Sequence, residues 1–228
     1  MVPPSTDRRS DTGDRAATEA ATADSRALRN QALAGMRRRA VLDAARAAFF
    51  ELGMDKTTMR EIAQRAGYTV GALYSYFASK QEVYGALLAE SLERLNARVR
   101  RSLQGCTDPT QRAHRSATAF FDFYRENPRD LDLGFYLFQG MKPRGLTPAL
   151  NEALNARLRD ALQPTRDALQ ALGLPAGQAL AEVTALFAQS VGLLVLSHTG
   201  RIRMFEQASQ DLFETYLGQL LDRARNRR

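Results

Sequence analysis

The stretch over residues 57–80 constrains the fold of this chain more than any other. Thr58 and the glutamate three residues after it have the spacing of a capping box, which begins a helix. Gly67 ends that pattern, because glycine adopts the positive φ of a tight turn most readily. Thr69 is a typical N-cap residue, so we predict a second, short helix over residues 70–76. Two helices around a tight turn are typical of a helix-turn-helix, whose second helix enters the DNA major groove.

Helical patterns flank this stretch on both sides. Residues 37–52 form a predicted helix with an apolar stripe of Val41, Leu42, Ala45, Ala48, Phe49 and Leu52. Within the second short helix, Leu73 and Phe77 are predicted to be buried, since they lie four residues apart. A second capping-box spacing at Ser79 begins a long predicted helix over residues 80–103.

Residues 38–88 resemble the DNA-binding domain of the TetR family of bacterial transcriptional regulators. The resemblance rests on Val41 to Ala45, Phe49, Gly53, Thr57, Thr58, Ile62, Ala63, Ala66, Gly67, Gly71, Leu73, Tyr74, Tyr76, Phe77, Ser79 and Lys80. It implies an all-α fold, in which an N-terminal three-helix helix-turn-helix DNA-binding domain is joined by a long helix to a C-terminal helical ligand-binding and dimerisation domain. The rest of the chain matches the family only in its length and helical character.

Composition and the resemblance together divide the 228 residues into three parts. Residues 1–35 are predicted to be a disordered tail, because residues 1–25 are rich in Ala, Thr, Asp, Arg and Pro and lack aromatic residues. Residues 36–82 are the predicted helix-turn-helix domain, and residues 83–228 the effector-binding and dimerisation domain. Positive charge is densest in residues 36–80, which carry eight basic and four acidic side chains, as a phosphate-binding surface requires.

A protein that reads DNA needs side chains that bind phosphates and side chains that read base edges. The resemblance implies that Tyr74, Tyr76 and Lys80 bind phosphates. We expect Thr58 to add a hydroxyl to these phosphate-binding groups at the start of the first short helix. We expect Arg60 to read a guanine edge through two hydrogen bonds. The major-groove face of the second short helix is predicted to consist of Thr69, Val70, Gly71, Ala72 and Ser75.

Some of these residues also have a purely structural interpretation. Arg37 and Arg38 either lie along phosphates or belong to a solvated helix start. Tyr74 either binds a phosphate or packs in the core with its hydroxyl satisfied. Lys80 either binds a phosphate or is a solvated residue at a helix cap.

The second domain is predicted to be helical throughout, over residues 109–126, 128–139, 147–172, 176–199 and 204–225. Pro164 lies inside the third of these helices and is expected to kink or split it. Aromatic residues crowd residues 120–138, and ligand pockets are mostly apolar with a few polar groups, although ordinary core packing is the alternative. Because the family places its effector pocket among the middle helices, we predict a pocket for an apolar or aromatic small molecule at His114, Phe120, Phe121, Tyr124, Phe135, Phe138 and Gln189.

Two apolar stripes near the end of the sequence predict a dimer interface. Two helices from each subunit can form a four-helix bundle, and helix-turn-helix proteins bind paired half-sites through a two-fold axis. The alternative is that both helices pack only within their own subunit. The predicted interface residues are Val183, Phe187, Leu194, Phe205, Phe213, Tyr216, Leu217 and Leu220.

The sequence contains no nucleophile elbow, phosphate loop or dinucleotide fingerprint, and its two histidines are far apart. We therefore predict no enzyme, no metal and no cofactor. Cys106 is the only cysteine, which excludes an intramolecular disulfide and fits a cytoplasmic protein. The longest apolar runs, such as residues 191–196, are too short to suggest a membrane span.

These observations predict a homodimeric, ligand-responsive regulator that binds an inverted repeat in double-stranded DNA. The resemblance favours a repressor that a small-molecule effector releases from its operator. Two alternatives remain open from sequence. One is an activator with the same fold, and the other is a helical interaction protein that has lost specific DNA binding.

Overall fold

The computed structural model describes residues 11–135 and 146–226, with side chains described from residue 25 onward. The secondary structure of this part is helical, which confirms the predicted all-α fold. The first four helices are α1 (Asp11–Leu52), α2 (Met59–Ala66), α3 (Val70–Tyr74) and α4 (Lys80–Ser102). They are followed by α5 (Pro109–Glu126), α6 (Pro128–Phe135), α7 (Pro148–Ala171), α8 (Ala176–His198), a short 3-10 helix (Arg201–Phe205) and α9 (Ser209–Arg225).

The chain divides into two compact units, Met1–Ala78 and Ser79–Arg228. Ser79 is the N-cap of α4, and its hydroxyl accepts a hydrogen bond from the amide of Glu82 at 3.2 Å. The boundary between the units therefore coincides with the start of this helix. The boundary predicted after residue 82 falls within the first turn of α4.

The N-terminal unit is a small three-helix domain in which α1 packs against α2, and α2 against α3. The apolar stripe predicted for α1 is buried, with the exception of Leu52, which is half-buried. Ile62 and Ala63 of α2 and Leu73 of α3 complete this core. The third helix ends at Tyr74, two residues earlier than predicted, and the amides of Tyr76 and Phe77 then bond to the carbonyl of Leu73.

Helix α1 begins much earlier than the sequence predicted. The tail predicted to be disordered is helical from Asp11 onward in the structure. Alanine, leucine and arginine are frequent there and favour helix, and the segment extends a helix that the buried residues after position 40 already stabilise. All residues over 25–39 are exposed, so this extension adds nothing to the core.

In the C-terminal unit, α5 packs against α4 and α7, and α8 packs against α7 and α9. A buried hydrogen bond of 2.7 Å joins the hydroxyls of Ser116 on α5 and Thr165 on α7. Helices α4 and α7 approach closely at Gly85, where an added Cβ would lie 2.5 Å from the Leu150 side chain. Because of this approach, a side chain larger than that of glycine at position 85 would push the two helices apart.

Two other helices differ from their predicted course. Helix α7 continues through Pro164, so of the two predicted outcomes, a kink or a split, the split does not occur. Buried residues on both sides of the proline, Ala161 and Ala168 among them, hold the helix in place although one backbone donor is missing. The predicted helix over residues 204–225 is also divided, because Glu206 adopts a left-handed φ of 53° between the 3-10 helix and α9.

Candidate nucleic-acid interface and ligand cleft

The turn between α2 and α3 is formed by the cap residues that the sequence indicated. The Thr58 hydroxyl accepts a hydrogen bond from the Glu61 amide at 3.1 Å and begins α2. Gly67 ends α2 with φ 74° and ψ 27°, a left-handed conformation that favours glycine. The Thr69 hydroxyl accepts a hydrogen bond from the Ala72 amide at 3.2 Å and begins α3. The predicted helix-turn-helix is therefore present.

Thr57 fixes the connection between α1 and α2. Its side chain is buried, and its hydroxyl lies 2.7 Å from the Gly53 carbonyl oxygen and 3.2 Å from that of Ala48. The sequence had not indicated this role. The partners of Thr57 are carbonyl groups at the end of α1, which no local residue pattern identifies.

Arg65 joins α1 to α2 on the surface. Its guanidinium lies 2.6 Å from a carboxylate oxygen of Glu51 on α1 and 2.6 Å from one of Glu61 on α2. The hydrogen bond from Arg65 holds the pKa of Glu51 below its ordinary value. The Glu61 carboxylate is thus bonded to Arg65, whereas the capping box had predicted a bond to the cap amide. This basic residue braces the domain and is not a candidate for DNA contact.

Helix α3 presents most of its predicted contact residues to solvent. Leu73 and Phe77 are buried and anchor it, as predicted. Tyr74 is 53% exposed, which excludes the core interpretation of its side chain. The accessible residues of this short helix and its ends are Thr69, Val70, Gly71, Ala72, Tyr74, Ser75 and Tyr76. The hydroxyl of Ser75 donates to the Ala72 carbonyl at 2.6 Å, so its bonding is in part internal.

Gly71 stands out on this surface, because an added Cβ would have no heavy atom of the protein within 4 Å. Its φ is in the ordinary helical range, and it lies in the first turn of α3. Neither packing nor backbone conformation within the chain therefore requires glycine at this position. A close approach by a molecule outside the chain would require it.

Arg60 is exposed at the second position of α2, from which its side chain extends into solvent. Arg37 is exposed on α1, whereas the guanidinium of Arg38 lies 5.1 Å from the centre of the Phe77 ring. That cation–π contact ties α1 to the segment directly after α3. In the C-terminal unit, Lys80 is half-buried and is the first residue of α4.

The predicted effector residues separate into different groups in the C-terminal unit. The rings of Phe120, Tyr124, Phe135 and Phe187 form a closed cluster, with neighbouring centres 5.3 to 5.9 Å apart. Phe121 faces the opposite way and stacks on Phe213 of α9 at 4.1 Å. Burial raises the pKa of the Tyr124 hydroxyl well above its ordinary value. The cluster is thus a packed aromatic core around one buried phenol.

The two polar residues predicted for the pocket lie away from these aromatic rings. His114 is exposed, and its Nε2 lies 3.0 Å from a carboxylate oxygen of Glu214 on α9. Gln189 is half-buried on α8, two residues after Phe187 and therefore on a different side of that helix. Phe138 lies outside the described residues. His114 therefore lies outside the aromatic cluster, and its role in binding an effector stays a prediction.

A cleft of about 350 Å³ lies next to the cluster, between α7 and α8. Phe187 forms part of its wall and also packs against Phe120 and Phe135. Leu158, Leu162 and Val183 add apolar surface. Leu180 and five polar side chains complete the lining, namely Asn155, Arg159, Gln163 and Arg166 of α7 and Thr184 of α8. Within the described part of the chain, the buried Nε of Arg166 has no hydrogen-bond partner, and it lies 3.8 Å from a carboxylate oxygen of the neighbouring Asp167.

Two segments of the chain match known protein families of the same kind. Residues 41–87 match the family described as bacterial regulatory proteins, tetR family. Residues 113–220 match a C-terminal domain described as tetracyclin repressor-like. The chain belongs to the TetR family of bacterial regulatory proteins. The resemblance inferred from the sequence is thereby confirmed.

Curated relatives of this TetR-family chain include both activators and repressors. The HTH-type transcriptional activator FasR of Mycolicibacterium smegmatis is 38% identical over 99 residues, which cover 43% of this chain and 45% of FasR. The HTH-type transcriptional repressor KstR2 of Mycobacterium tuberculosis is 40% identical over 86 residues, which cover 38% of this chain and 43% of KstR2. The chain therefore spans less than half the length of these curated relatives.

Solved structures of TetR-type proteins share the fold over most of the chain. FadR of Bacillus subtilis, solved in complex with stearoyl-CoA, has a TM-score of 0.61 at 17% identity, covering 80% of this chain and 97% of FadR. A TetR-family transcriptional regulator of Bordetella parapertussis has a TM-score of 0.58 at 21% identity, covering 81% of this chain and 94% of that protein. At these identities the likeness establishes the fold.

The apolar stripes of α8 and α9 in this TetR-family chain are largely internal. Five of the predicted interface residues are buried in their own subunit: Val183, Leu194, Phe213, Leu217 and Leu220. This burial leaves them little surface for a second chain, because a helical stripe shows that a face is covered and does not show by which chain. Phe187 belongs to the aromatic cluster. Phe205 is 59% exposed and Tyr216 is half-buried.

Helix α8 is more apolar than the short apolar runs in its sequence suggested. It is the one candidate among the described helices with the length and mean hydropathy, 1.8, that a membrane span requires. One-third of that apolar window is buried within the chain. Its outward face consists of small residues, namely Ala181, Ala185, Ala188 and Gly192. The described residues contain no group of three or more His, Cys, Asp or Glu that could hold a metal ion.

Proposed function

We propose that this protein is a cytoplasmic, DNA-binding transcriptional regulator of the TetR family. It binds an inverted repeat in double-stranded DNA as a homodimer and represses transcription. A small apolar molecule bound in the C-terminal unit releases it. This mechanism requires two recognition helices about 34 Å apart and an effector that prefers a different spacing.

The accessible surface of α3 carries this proposal. A helix of five residues is too short to be stable alone, and here two buried side chains and a threonine cap hold it. Its remaining residues face solvent, and Tyr74 projects from its end. Rigid support beneath a solvent-exposed face is what base readout requires, since the helix must enter the groove without rearranging.

The effector proposal is supported by the cleft between α7 and α8. Its volume of about 350 Å³ lies within the range of small-molecule pockets. The apolar walls favour a hydrocarbon or aromatic group, and the unsatisfied Nε of Arg166 favours an acceptor such as a carboxylate or carbonyl oxygen. The neighbour FadR is in complex with stearoyl-CoA, which also combines an acyl chain with polar groups.

The homodimer is supported by the outward face of α8. The exposed residues of this face are small, namely Ala181, Ala185, Ala188 and Gly192, so a second helix can approach closely. An apolar helix that is only one-third buried in its own chain is favourable in water when a partner covers the rest. A second copy would cover this face through a two-fold axis.

Repression and activation predict opposite effects on the same target gene. Similarity to the repressor KstR2 supports repression, whereas similarity to FasR makes activation the second candidate. A reporter gene placed behind the natural operator distinguishes them. Removal of the protein raises expression if it represses and lowers expression if it activates.

Selection of bound duplexes from a random DNA pool tests the proposed DNA binding directly. We expect an enriched inverted repeat whose half-sites lie one helical turn or a multiple of it apart. A Tyr74→Ala variant serves as the control and should lose affinity for all sequences alike. If purified protein, with and without cell extract, enriches no sequence, the protein does not read DNA and the proposed function is wrong.

A further inference from the structure

The extension of α1 that precedes the recognised domain carries a strong separation of charge. Residues 26–39 contain five arginines and no acidic residue. Residues 11–24, directly before them, contain four acidic residues and one arginine. Both stretches belong to one continuous helix, Asp11–Leu52. The basic stretch is the one that adjoins the helix-turn-helix domain, and it lies before residue 41, where the family match begins.

The basic stretch is a helical arm, residues 25–39, that contacts the described residues at its end, where Arg38 lies over the Phe77 ring. Every residue of it is exposed. Arg26, Arg29, Leu33 and Arg37 follow one another at intervals of three or four residues and therefore share one face. Within the described part of the chain, no carboxylate forms an ion pair with the three arginines of this face. The arm thus presents a row of guanidinium groups to solvent.

The end of the arm lies beside the segment that follows α3. Arg38 rests on the ring of Phe77, three residues after Tyr74. Tyr74 itself is exposed and belongs to the proposed DNA-contacting surface. The arm therefore leaves the N-terminal unit near the C-terminal end of α3. At 1.5 Å per residue, its fifteen residues extend for about 22 Å, or roughly six to seven base pairs of duplex.

We propose that residues 25–39 form a DNA-binding arm that contacts the phosphate backbone outside the half-site read by α3. This inference rests on the proposed DNA binding and extends the contacted DNA beyond the recognition helix. Arg26, Arg29 and Arg37 bind phosphates and do not read bases, because their helix has no packed support that would fix it in a groove. The arm raises affinity for all flanking sequences alike.

Charge favours DNA over a protein partner as the occupant of this surface. Three exposed apolar side chains, Leu28, Leu33 and Met36, would suit a second helix. Two copies of the arm, however, would bring ten arginines together without a single acidic residue in the paired stretches. Like charges at that density oppose association, whereas a polyanion neutralises them and releases its counterions.

The experiment compares an Arg26→Ala, Arg29→Ala double variant with wild type on two duplexes. The short duplex contains only the selected inverted repeat, and the long duplex adds about ten base pairs of unrelated sequence to each end. Arg201→Ala, Arg203→Ala is the matched control, since both arginines are exposed in the C-terminal unit and the same number of charges is removed. Alanine preserves the exposed helix, which circular dichroism verifies.

We expect wild type and the control to prefer the long duplex, and the arm variant to bind both duplexes equally. On the long duplex, the slope of log K against log salt should decrease by about 0.9 for each phosphate that the variant no longer neutralises, or about 3.6 for two in each subunit of a dimer. On the short duplex all three proteins should agree, which separates this result from a failure of the helix-turn-helix itself.

Two results would contradict the proposal that residues 25–39 bind the phosphate backbone. One is an undiminished preference of the variant for the long duplex. The other is a change in the mass of the variant measured by light scattering without DNA, because that would make the arm a protein contact. A wild type that binds neither duplex would instead refute the proposed DNA binding.

Discussion

At the scale of single residues, the proposed DNA-contacting surface combines side chains that the fold needs with side chains that it does not. Leu73 and Phe77 are buried and hold α3, so their substitution would damage the domain. Gly71 and Arg60 have no such role within the chain. Substitutions at these two positions therefore separate function from stability.

Gly71→Ala should weaken operator binding at least tenfold without destabilising the protein. An alanine Cβ meets no atom of the chain, and alanine in a helix is more favourable than glycine by about 0.5–1 kcal/mol. A DNA backbone that approaches the helix closely would collide with it. Fluorescence anisotropy measures the affinity for the operator, and the melting temperature measures the stability. Gly177→Ala on α8, also in open space, is the control and should leave binding unchanged.

Arg60→Ala should relax the preference at one base pair in each half-site. A bidentate contact between arginine and guanine contributes about 1–3 kcal/mol of discrimination. Repeating the selection from random duplexes with the variant measures this preference. Lys56→Ala, which removes another exposed positive charge nearby, should lower affinity without altering the selected sequence. An unaltered preference in the Arg60 variant would show that this residue does not read a base.

At the scale of helices, ion pairs hold α4 against its neighbours. The guanidinium of Arg98 on α4 donates to both carboxylate oxygens of Glu126 at the end of α5, and the distance from Nη2 to Oε1 is 3.0 Å. The same Nη2 lies 3.9 Å from a carboxylate oxygen of Asp122. Arg94 pairs with Asp130 of α6 at 2.5 Å. These pairs therefore restrain α4 against α5 and α6 within the C-terminal unit.

Glu126→Gln should lower stability at neutral pH and have little effect in acid. The hydrogen bond from Arg98 lowers the pKa of Glu126. A lowered carboxyl pKa contributes stability above the unfolded pKa, and this contribution disappears as the pH falls through the folded value. The pair is partly exposed, so the expected loss is at most about 1 kcal/mol. Melting curves from pH 7 to pH 3 test this, with Glu93→Gln, an exposed glutamate of α4, as the control.

Elements with local signals were predictable from sequence, and those decided by distant partners were not. The helix caps at Thr58, Gly67 and Thr69 could be predicted from residues within three positions of each cap. The predicted span of α5 agrees with the observed Pro109–Glu126. Phe213 shows the opposite case. Its stripe is evident in the sequence, but only the fold reveals that Phe121 of the same chain covers it. Amphipathic patterns indicate burial and do not identify the partner.

The candidate ligand site shows the same difference between features that have a local sequence signal and features that depend on distant partners. Aromatic crowding correctly indicated a cluster at Phe120, Tyr124 and Phe135. The open space, however, lies between α7 and α8, and α7 carries no aromatic residue and gave no signal in the sequence. The position of a cavity depends on how helices cross and pack, and the residue pattern along a single helix does not specify this.

At the scale of the whole molecule, the proposed regulator acts only as a pair. Ala188→Glu should convert dimers into monomers and abolish binding to the inverted repeat, because it places a charge in the centre of the exposed small-residue face of α8. Light scattering and operator binding measure the two effects. Ala153→Glu on the exposed side of α7 is the matched control and should remain dimeric. A dimeric Ala188→Glu protein would move the interface away from α8.

Phe187 belongs at once to the aromatic cluster and to the wall of the cleft, which makes it a natural optical reporter. The sequence contains no tryptophan, so Phe187→Trp would give the protein a single indole. Its emission would shift to shorter wavelength when an apolar compound displaces water from the cleft, and it would stay constant for compounds that do not enter. A compound library could then be screened for the effector by fluorescence alone, before any target gene is known.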